Sequence, residues 1–287
     1  MNQKICLFTS DVQYYSTRRF VEEAKKIPIE LAIKTYEDLY INLNNETSYV
    51  YAGTESLDNY SHFIFRNSKG MRDIRKTVAG FLKDKTILNK EILSATDIST
   101  KLYKTMLLGQ ANLPIVGSIT ATSDENFKKL ALETLRKYGK IIIKPTDGTH
   151  GKGISLITSE AEFDAWKKES RDYIIQEYIE SDSDVRILVL GDTVLGGMKR
   201  IKKAGEFRAN VSQGAHTEIF KVSAELQKIA VAATKCLKLD FAGVDIIFDR
   251  NNTPFILEVN SAPQFEGFEK ATGANVAEAI LKFLLKK

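Results

Sequence analysis

Cysteine is scarce: Cys6 and Cys236 are the only two in 287 residues. One sits in an apolar run and the other in a helical one. They are expected as small buried hydrophobes, not a disulfide pair, which suits a reducing cytoplasm. Long hydrophobic runs are missing, and nothing approaches the roughly 20 apolar residues of a membrane span. The apolar run from Ile5 to Phe8 is too short for the core of a signal peptide and is expected as a first strand. Charge of one sign is also missing. Lys and Arg number 41 against 37 Asp and Glu, a net charge of +4. No segment interleaves basic and aromatic residues as nucleic-acid surfaces do. Neither nucleic acid nor a membrane is an expected partner. No phosphate-binding glycine loop follows the first strand, where Thr9-Ser10-Asp11 stands instead. The acidic run Glu180-Ser181-Asp182-Ser183-Asp184 lacks the spacing and closing glutamate of an EF-hand. No serine or cysteine is placed as a nucleophile.

What is present suffices for a sizeable core. Apolar residues make up 43% of the chain and charged residues 27%, as in ordinary globular proteins. The length suggests two or three subdomains. Within 1–97, strands expected over 4–8, 29–33 and 62–66 alternate with helices over 14–26 and 71–82, a small α/β unit with a parallel sheet. Arg66 ends one of these strands, where side chains of such sheets reach ligands; a surface arginine is the plainer reading. Beyond 98, the spacing predicts a helix over 101–108 closed by Gly109. A strand over 113–116, a helix over 122–137 capped by Ser123 or Asp124, and a strand over 173–179 follow. After residue 179 come strands over 185–190 and 193–198 about the turn Gly191-Asp192, then helices over 224–237 and 275–285. Asp184 and Arg186 stand two apart, on one strand face. The basic run Lys199-Arg200-Ile201-Lys202-Lys203 reads as a solvated loop, or as a clamp for an anionic substrate.

Two stretches carry candidate chemistry. The apolar runs 243–248 and 255–260 flank turn residues and read as an antiparallel hairpin. Asp245, Glu258 and Asn260 interrupt them with oxygen-bearing side chains. Glu258 and Asn260 share a face, and a suitable register brings Asp245 alongside. Such a set suits a hard cation; an edge hairpin with solvated polar groups is the alternative. The second stretch, 140–157, is strand, glycine-rich loop, strand. Lys144 leaves the first strand, and Gly148, Gly151 and Gly153 expose backbone amides around His150 and Lys152. This is not a P-loop, because a strand follows and a lysine precedes the loop. The chemistry suits a polyphosphate all the same.

Taken in order, these motifs resemble the ATP-grasp ligases. Ile143-Lys144-Pro145 with Gly148-Thr149-His150-Gly151-Lys152-Gly153 is similar to their phosphate lysine and mobile loop, and Gln176-Glu177-Tyr178-Ile179 to their adenine linker. Asp184-Val185-Arg186, Gly205-Glu206-Phe207-Arg208-Ala209-Asn210, Ala242-Gly243-Val244-Asp245 and Glu258-Val259-Asn260-Ser261-Ala262-Pro263 follow in the family's order. Phe265 to Gly273 favours the RimK type, the ribosomal protein S6 glutamate ligases and their relatives. The resemblance covers about 98–287; before it, only the α/β pattern and Tyr14-Tyr15-Ser16 are similar. Gln264 departs from the family's usual glycine, which touches substrate choice more than ATP use.

The resemblance implies an α/β fold of the α+β ATP-grasp type. An N-terminal pre-ATP-grasp domain, 1–97, would precede two α+β subdomains that clasp ATP, 98–178 with the glycine lid and 179–287 with the Mg²⁺ site. Lys101 and Lys144 would contact phosphates, with Gly148, Gly151 and Gly153 over them. Gln176, Glu177, Tyr178 and Ile179 would hold adenine, Glu177 and Ile179 through main-chain groups, and Asp184 the ribose. Asp245, Glu258 and Asn260 would bind one or two Mg²⁺ ions, with Mn²⁺ as a substitute. Arg186, Arg208 and Asn210 are the catalytic candidates, the last two facing the γ-phosphate and an acyl phosphate. The implied activity is ATP-dependent joining of a carboxylate to an amine. It would add a glutamate-like amino acid to a peptide, protein or small-molecule acceptor, in a monomer or homo-oligomer. The alternatives are an ATP-grasp kinase and a nucleotide-binding module without catalysis.

Overall fold

The computed structural model describes residues 3–45, 48–68, 71–90, 100–146, 153–170, 172–203 and 216–287. Arg208, Asn210, Gly148, Gly151, His150 and Lys152, all singled out above, lie outside them.

The first third runs β1 (Gln3–Thr9), α1 (Tyr15–Ala24), β2 (Ile29–Thr35), β3 (Leu39–Asn42), β4 (Tyr49–Ala52), β5 (Glu55–Ser56), β6 (His62–Phe65), α2 (Arg72–Phe81) and β7 (Thr86–Ile87). The near-continuous apolar runs of β1 and β6 are those of strands covered on both faces. They form the middle of a parallel sheet of order β2-β1-β6-β7. The strands β3, β4 and β5 make a separate antiparallel sheet, absent from the sequence expectation. Tyr15, from the family-like Tyr14-Tyr15-Ser16, donates its hydroxyl to Glu269 at 2.7 Å, and Arg19 Nε reaches the same carboxylate at 3.0 Å. The first and last parts of the chain are thereby tied together.

The middle runs α3 (Lys101–Gln110), β8 (Ser118–Ile119), α4 (Asp124–Tyr138), β9 (Ile141–Pro145), β10 (Ser155–Ile157), α5 (Glu160–Ala165) and β11 (Tyr173–Glu177). Ser123 caps α4 as expected, accepting from the Asn126 amide, and Gly139 ends it in the left-handed region at φ 75°. Two expectations need correction. Gly109 does not end α3; the helix runs through it to Gln110, and a side chain there would meet Ile115 at 3.1 Å. The segment 113–116 is no strand. Ile115 makes one bridge to Ile256, whose amide donates to Pro114 O at 2.7 Å, while the strand proper is β8.

The last part runs β12 (Ser183–Leu190), β13 (Thr193–Ile201), β14 (His216–Phe220), α6 (Ala224–Cys236), β15 (Phe241–Phe248), β16 (Pro254–Asn260), α7 (Glu266–Thr272) and α8 (Val276–Leu284). The sheet order is β14-β13-β12-β15-β16, antiparallel throughout. Strand alternation divides its faces. Val185, Ile187, Val244 and Ile246 pack in one core with Leu226, Ala230 and Ala233 of α6. Leu188, Met198 and Phe241 pack with Ile280 and Leu284 of α8, and with Ile5 and Ile64 of the first sheet. No helix of the described residues is long and apolar enough to cross a membrane. Cys6 and Cys236 are both free thiols, as expected.

Candidate active site

The five-stranded sheet carries its polar groups on the face opposite α6. Residues directly opposite in an antiparallel pair share a face. Asp184 stands opposite Arg200, Arg186 opposite Asp245, and Asp245 opposite Glu258, while Asn260 faces Gly243. The face shared by Asp245, Glu258 and Asn260, expected from the sequence, is therefore present. The Asp245–Glu258 pairing depends on one irregularity and the Asp184–Arg200 pairing on another. The β15–β16 ladder shifts between Asp245 and Ile246, and the β12–β13 ladder between Leu188 and Val189.

Within this face the charges interlock. Arg186 donates Nε to Asp245 Oδ1 at 2.8 Å and Nη2 to Oδ2 at 2.7 Å, a bidentate pair. Arg200 Nη2 reaches Asp245 Oδ2 at 3.0 Å, and its Nε binds Asp184 Oδ1. Asn260 Nδ2 lies 3.4 Å from Asp245 Oδ2. Burial acts to raise the Asp245 carboxyl, but Arg186 and Arg200 outweigh it and hold the group below the ordinary carboxylate range. Arg200 corrects the loop reading of the basic run. Lys199, Arg200 and Ile201 belong to β13, and Arg200 is 4% exposed. Strand alternation does not find it, because a regular count from the Gly191-Asp192 turn would set Lys199, not Arg200, opposite Asp184.

Lys144, on β9, is 7% exposed. Burial lowers its ammonium to about 8, with Glu258 countering and Lys101 adding to the fall. Lys101 opens α3, and its amide donates to Thr146 O at 2.9 Å, just beyond Lys144. Glu258 is thus the joint between two groups: the lysines on one side, and Asp245 with its arginines on the other. Lys104, one helical turn on from Lys101, donates to Val259 O at 3.0 Å and fixes α3 over β16.

The adenine-linker candidates leave β11. Gln176 is buried and donates Nε2 to Ser118 Oγ at 2.6 Å. Glu177 pairs with Ile141 and is half-buried; the Tyr178 amide donates to Lys140 O at 3.2 Å. Lys140 and Lys202 lie 5.8 and 5.6 Å from the Tyr178 ring centre. Ile179 follows, half-buried. Gly153 takes φ 71° behind the glycine loop, where a side chain would press Pro145 at 3.2 Å. Asp184 is buried and spends its charge on Arg200.

The donor chemistry fits a hard divalent cation. Mg²⁺ takes one or two carboxylates and completes its shell with phosphate and water. Glu258 and Asn260 are half-buried oxygen donors, and Asp245 Oδ1 keeps a lone pair beyond its bond from Arg186. Among the described residues, no group of three or more acidic, histidine or cysteine side chains stands close enough to hold a metal ion.

The model of the RimK-like ATP-grasp domain matches residues 98–284, the stretch that holds every element of this site. The chain belongs to the RimK-like ATP-grasp family. A probable alpha-L-glutamate ligase 1 of Shewanella amazonensis is 31% identical over 294 residues, covering 99% of this chain and 95% of the relative. The fold is shared with solved ATP-grasp structures. The ligase PsnB, complexed with a phosphomimetic variant of its minimal precursor, Mg and ADP, superposes with a TM-score of 0.76 at 17% identity, covering 100% and 99% of the two chains. The D-cycloserine synthetase DcsG gives 0.75 at 15% identity, covering 99% of each. This RimK-like chain is an ATP-grasp ligase with an α/β ATP-grasp fold.

Proposed function

We propose that the chain joins an amino acid, glutamate or one like it, to the carboxylate of a peptide, protein or small-molecule acceptor through an acyl phosphate. Glutamate is suggested by the name of the Shewanella relative, and a peptide acceptor by the precursor bound to PsnB. The observation that carries the reading is the position of Glu258. It stands opposite Asp245 in the ladder and acts on Lys144 through its charge, so phosphate-binding and metal-binding groups meet at one carboxylate.

In this reading an acceptor carboxylate oxygen attacks the γ-phosphorus of ATP. The bond to the β–γ bridging oxygen breaks and ADP leaves. The amine nitrogen then attacks the acyl carbon, the C–O bond breaks, phosphate departs and the amine sheds a proton to solvent. Lys101 and Lys144 neutralise phosphate oxygens during the transfer. Glu177 and Ile179 hold adenine through the main chain, beside Gln176 and Tyr178. Asp184 anchors Arg200 and offers its remaining lone pairs to the ribose. Asp245, Glu258 and Asn260 would hold Mg²⁺, which would supply charge neutralisation for the phosphates. Arg186 keeps Asp245 ionised and oriented, and the resemblance assigns Arg208 and Asn210 to the transferred phosphoryl group. The glycine loop with Gly148, Gly151 and Gly153 shields the acyl phosphate from water. The division into 1–97, 98–178 and 179–287 belongs to the same reading and is supported by the separate sheets of the three parts.

Incubation with ATP, Mg²⁺, a pool of amino acids and glutamate-ended peptides, followed by mass spectrometry, tests this. An adduct heavier by one amino acid less water, with one ADP per bond, is the expected product. A phosphoester would make the protein a kinase. ATP binding without ADP release under any condition would make it a binding module.

A further inference from the structure

Arg200 joins the two acids to which separate ligands are assigned above. Its Nε binds Oδ1 of Asp184, the candidate for the ribose, and its Nη2 reaches Oδ2 of Asp245, a candidate for Mg²⁺, at 3.0 Å. All three side chains are buried. Asp184 is on β12, Asp245 on β15 and Arg200 on β13, so the guanidinium passes over β12 to touch both acids. Burial acts to lower the Arg200 group, but Asp245 and Asp184 outweigh it and hold the group above the ordinary arginine range. One cation thus answers two buried acids.

Charge alone does not call for an arginine at this place; direction does. Arg186 holds both oxygens of Asp245, and Asn260 Nδ2 lies 3.4 Å from the Oδ2 that Arg200 touches. A guanidinium offers its donors in a fixed planar fork, so the direction in which it holds one carboxylate sets the direction in which it holds the other. An ammonium is a point charge on a flexible stem and imposes no such relation. Without the shift between Leu188 and Val189, Lys199 would stand opposite Asp184. Irregularities of this kind re-aim side chains beside active sites, and this one puts a fork where a lysine would be.

We propose that Arg200 is a positioning residue that builds the ribose site and the metal site as one unit. Shared between Asp184 and Asp245, it fixes both carboxylates while leaving each with lone pairs for its own ligand. Loss of either acid hands the whole fork to the other and weakens the site that remains. Ribose recognition and metal affinity therefore fall together, although Asp184 is not in the metal set. The proposal rests on the ligase reading above, which assigns the ribose to Asp184 and Mg²⁺ to Asp245.

The test measures binding to the full chain and needs no turnover. Calorimetry in EDTA compares ADP with 2′-deoxy-ADP and 3′-deoxy-ADP. Electron paramagnetic resonance reads Mn²⁺ affinity with the protein in excess over ADP, so that the nucleotide is protein-bound. Wild type is expected to favour ADP over a deoxy form by about tenfold, as for a hydrogen bond to a charged group. Asp184→Asn should erase that preference and also weaken Mn²⁺ binding about tenfold. Arg200→Lys, which keeps the charge and loses the fork, should reduce both readouts; Arg200→Gln is the second variant, with melting temperatures checked for each. Added to Arg200→Lys, Asp184→Asn should cost no further Mn²⁺ affinity. A wild type indifferent to the ribose hydroxyls overturns the proposal. So does Asp184→Asn with full Mn²⁺ affinity, or an equal Mn²⁺ loss with and without Arg200→Lys. An Arg200→Lys protein that melts lower and keeps both readouts makes the arginine purely structural and overturns it too. Where neither Arg200 variant folds, the Mn²⁺ affinity of Asp184→Asn decides. Amide formation with the two sites independent keeps the ligase and removes the bridge. Linked sites without any amide product keep the bridge and remove the ligase.

Discussion

Arg186 and Asp245 face each other across β12 and β15 and meet through two parallel hydrogen bonds of 2.8 and 2.7 Å. The pair is well buried, with side-chain exposures of 15% and 8%. Arg200 adds a third contact to the same carboxylate. Removing one charge from such a group strands the others. Asp245→Asn is expected to lower unfolding free energy by about 3 kcal/mol, read from urea melts, and to reduce ADP release sharply. An Asp245→Asn protein as stable as the parent would show that the arginines are satisfied without it.

Lys144 gives a pH dependence with a definite sign. In the nucleotide-free protein its ammonium titrates at about 8, against about 10.4 in an unfolded chain. Between those values the unfolded chain binds the extra proton, so this residue's contribution to folding stability rises with pH across that window. A bound phosphate reverses the preference and draws the proton back. ADP binding near pH 9 should therefore take up a proton, seen as a binding enthalpy that varies with the ionisation heat of the buffer. Lys144→Met should remove that variation and lower kcat/KM about a hundredfold or more.

Leu257 is the extra residue in β16. The ladder passes from Asp245–Glu258 to Ile246–Ile256 and skips it. In an unbulged hairpin, counted from Phe248–Pro254, Asp245 would face Leu257, and Glu258 and Asn260 would turn to the other side. Deleting Leu257 removes the extra residue and leaves Asp245 opposite Glu258 in a regular ladder, so both the circular dichroism of the sheet and Mg²⁺-dependent ADP binding are expected to survive. Lost binding with the sheet intact would mean that the irregularity itself, and not only the shared face of Glu258 and Asn260, shapes the site.

Asn89 sits at φ 59° and spans the first sheet, β15 and the segment after β16 through side-chain bonds to Asp240, Phe241 and Ser261. Asn89→Ala leaves several buried backbone groups without partners. A loss of about 3 kcal/mol or more is expected, with earlier proteolysis of the first third. A loss below about 1 kcal/mol would show that water replaces the amide.

The sequence by itself determined most of the framework. Apolar periodicity marked β1, α1, β6, α4, α6 and α8 because burial on one face is a local pattern. Turn residues between β15 and β16 announced the hairpin, and the order of the motifs carried the family. Tertiary structure decided which charged groups meet. Arg200 looked like part of a solvated basic run. A one-residue shift between Leu188 and Val189 brings it, instead of Lys199, opposite Asp184, and such a shift leaves no mark in hydrophobic periodicity. Arg66 looked like a strand-end arginine at the surface. Pro263 and Phe265, 197 and more residues along the chain, cover it. Its burial comes from contacts between distant segments, which a local pattern does not encode.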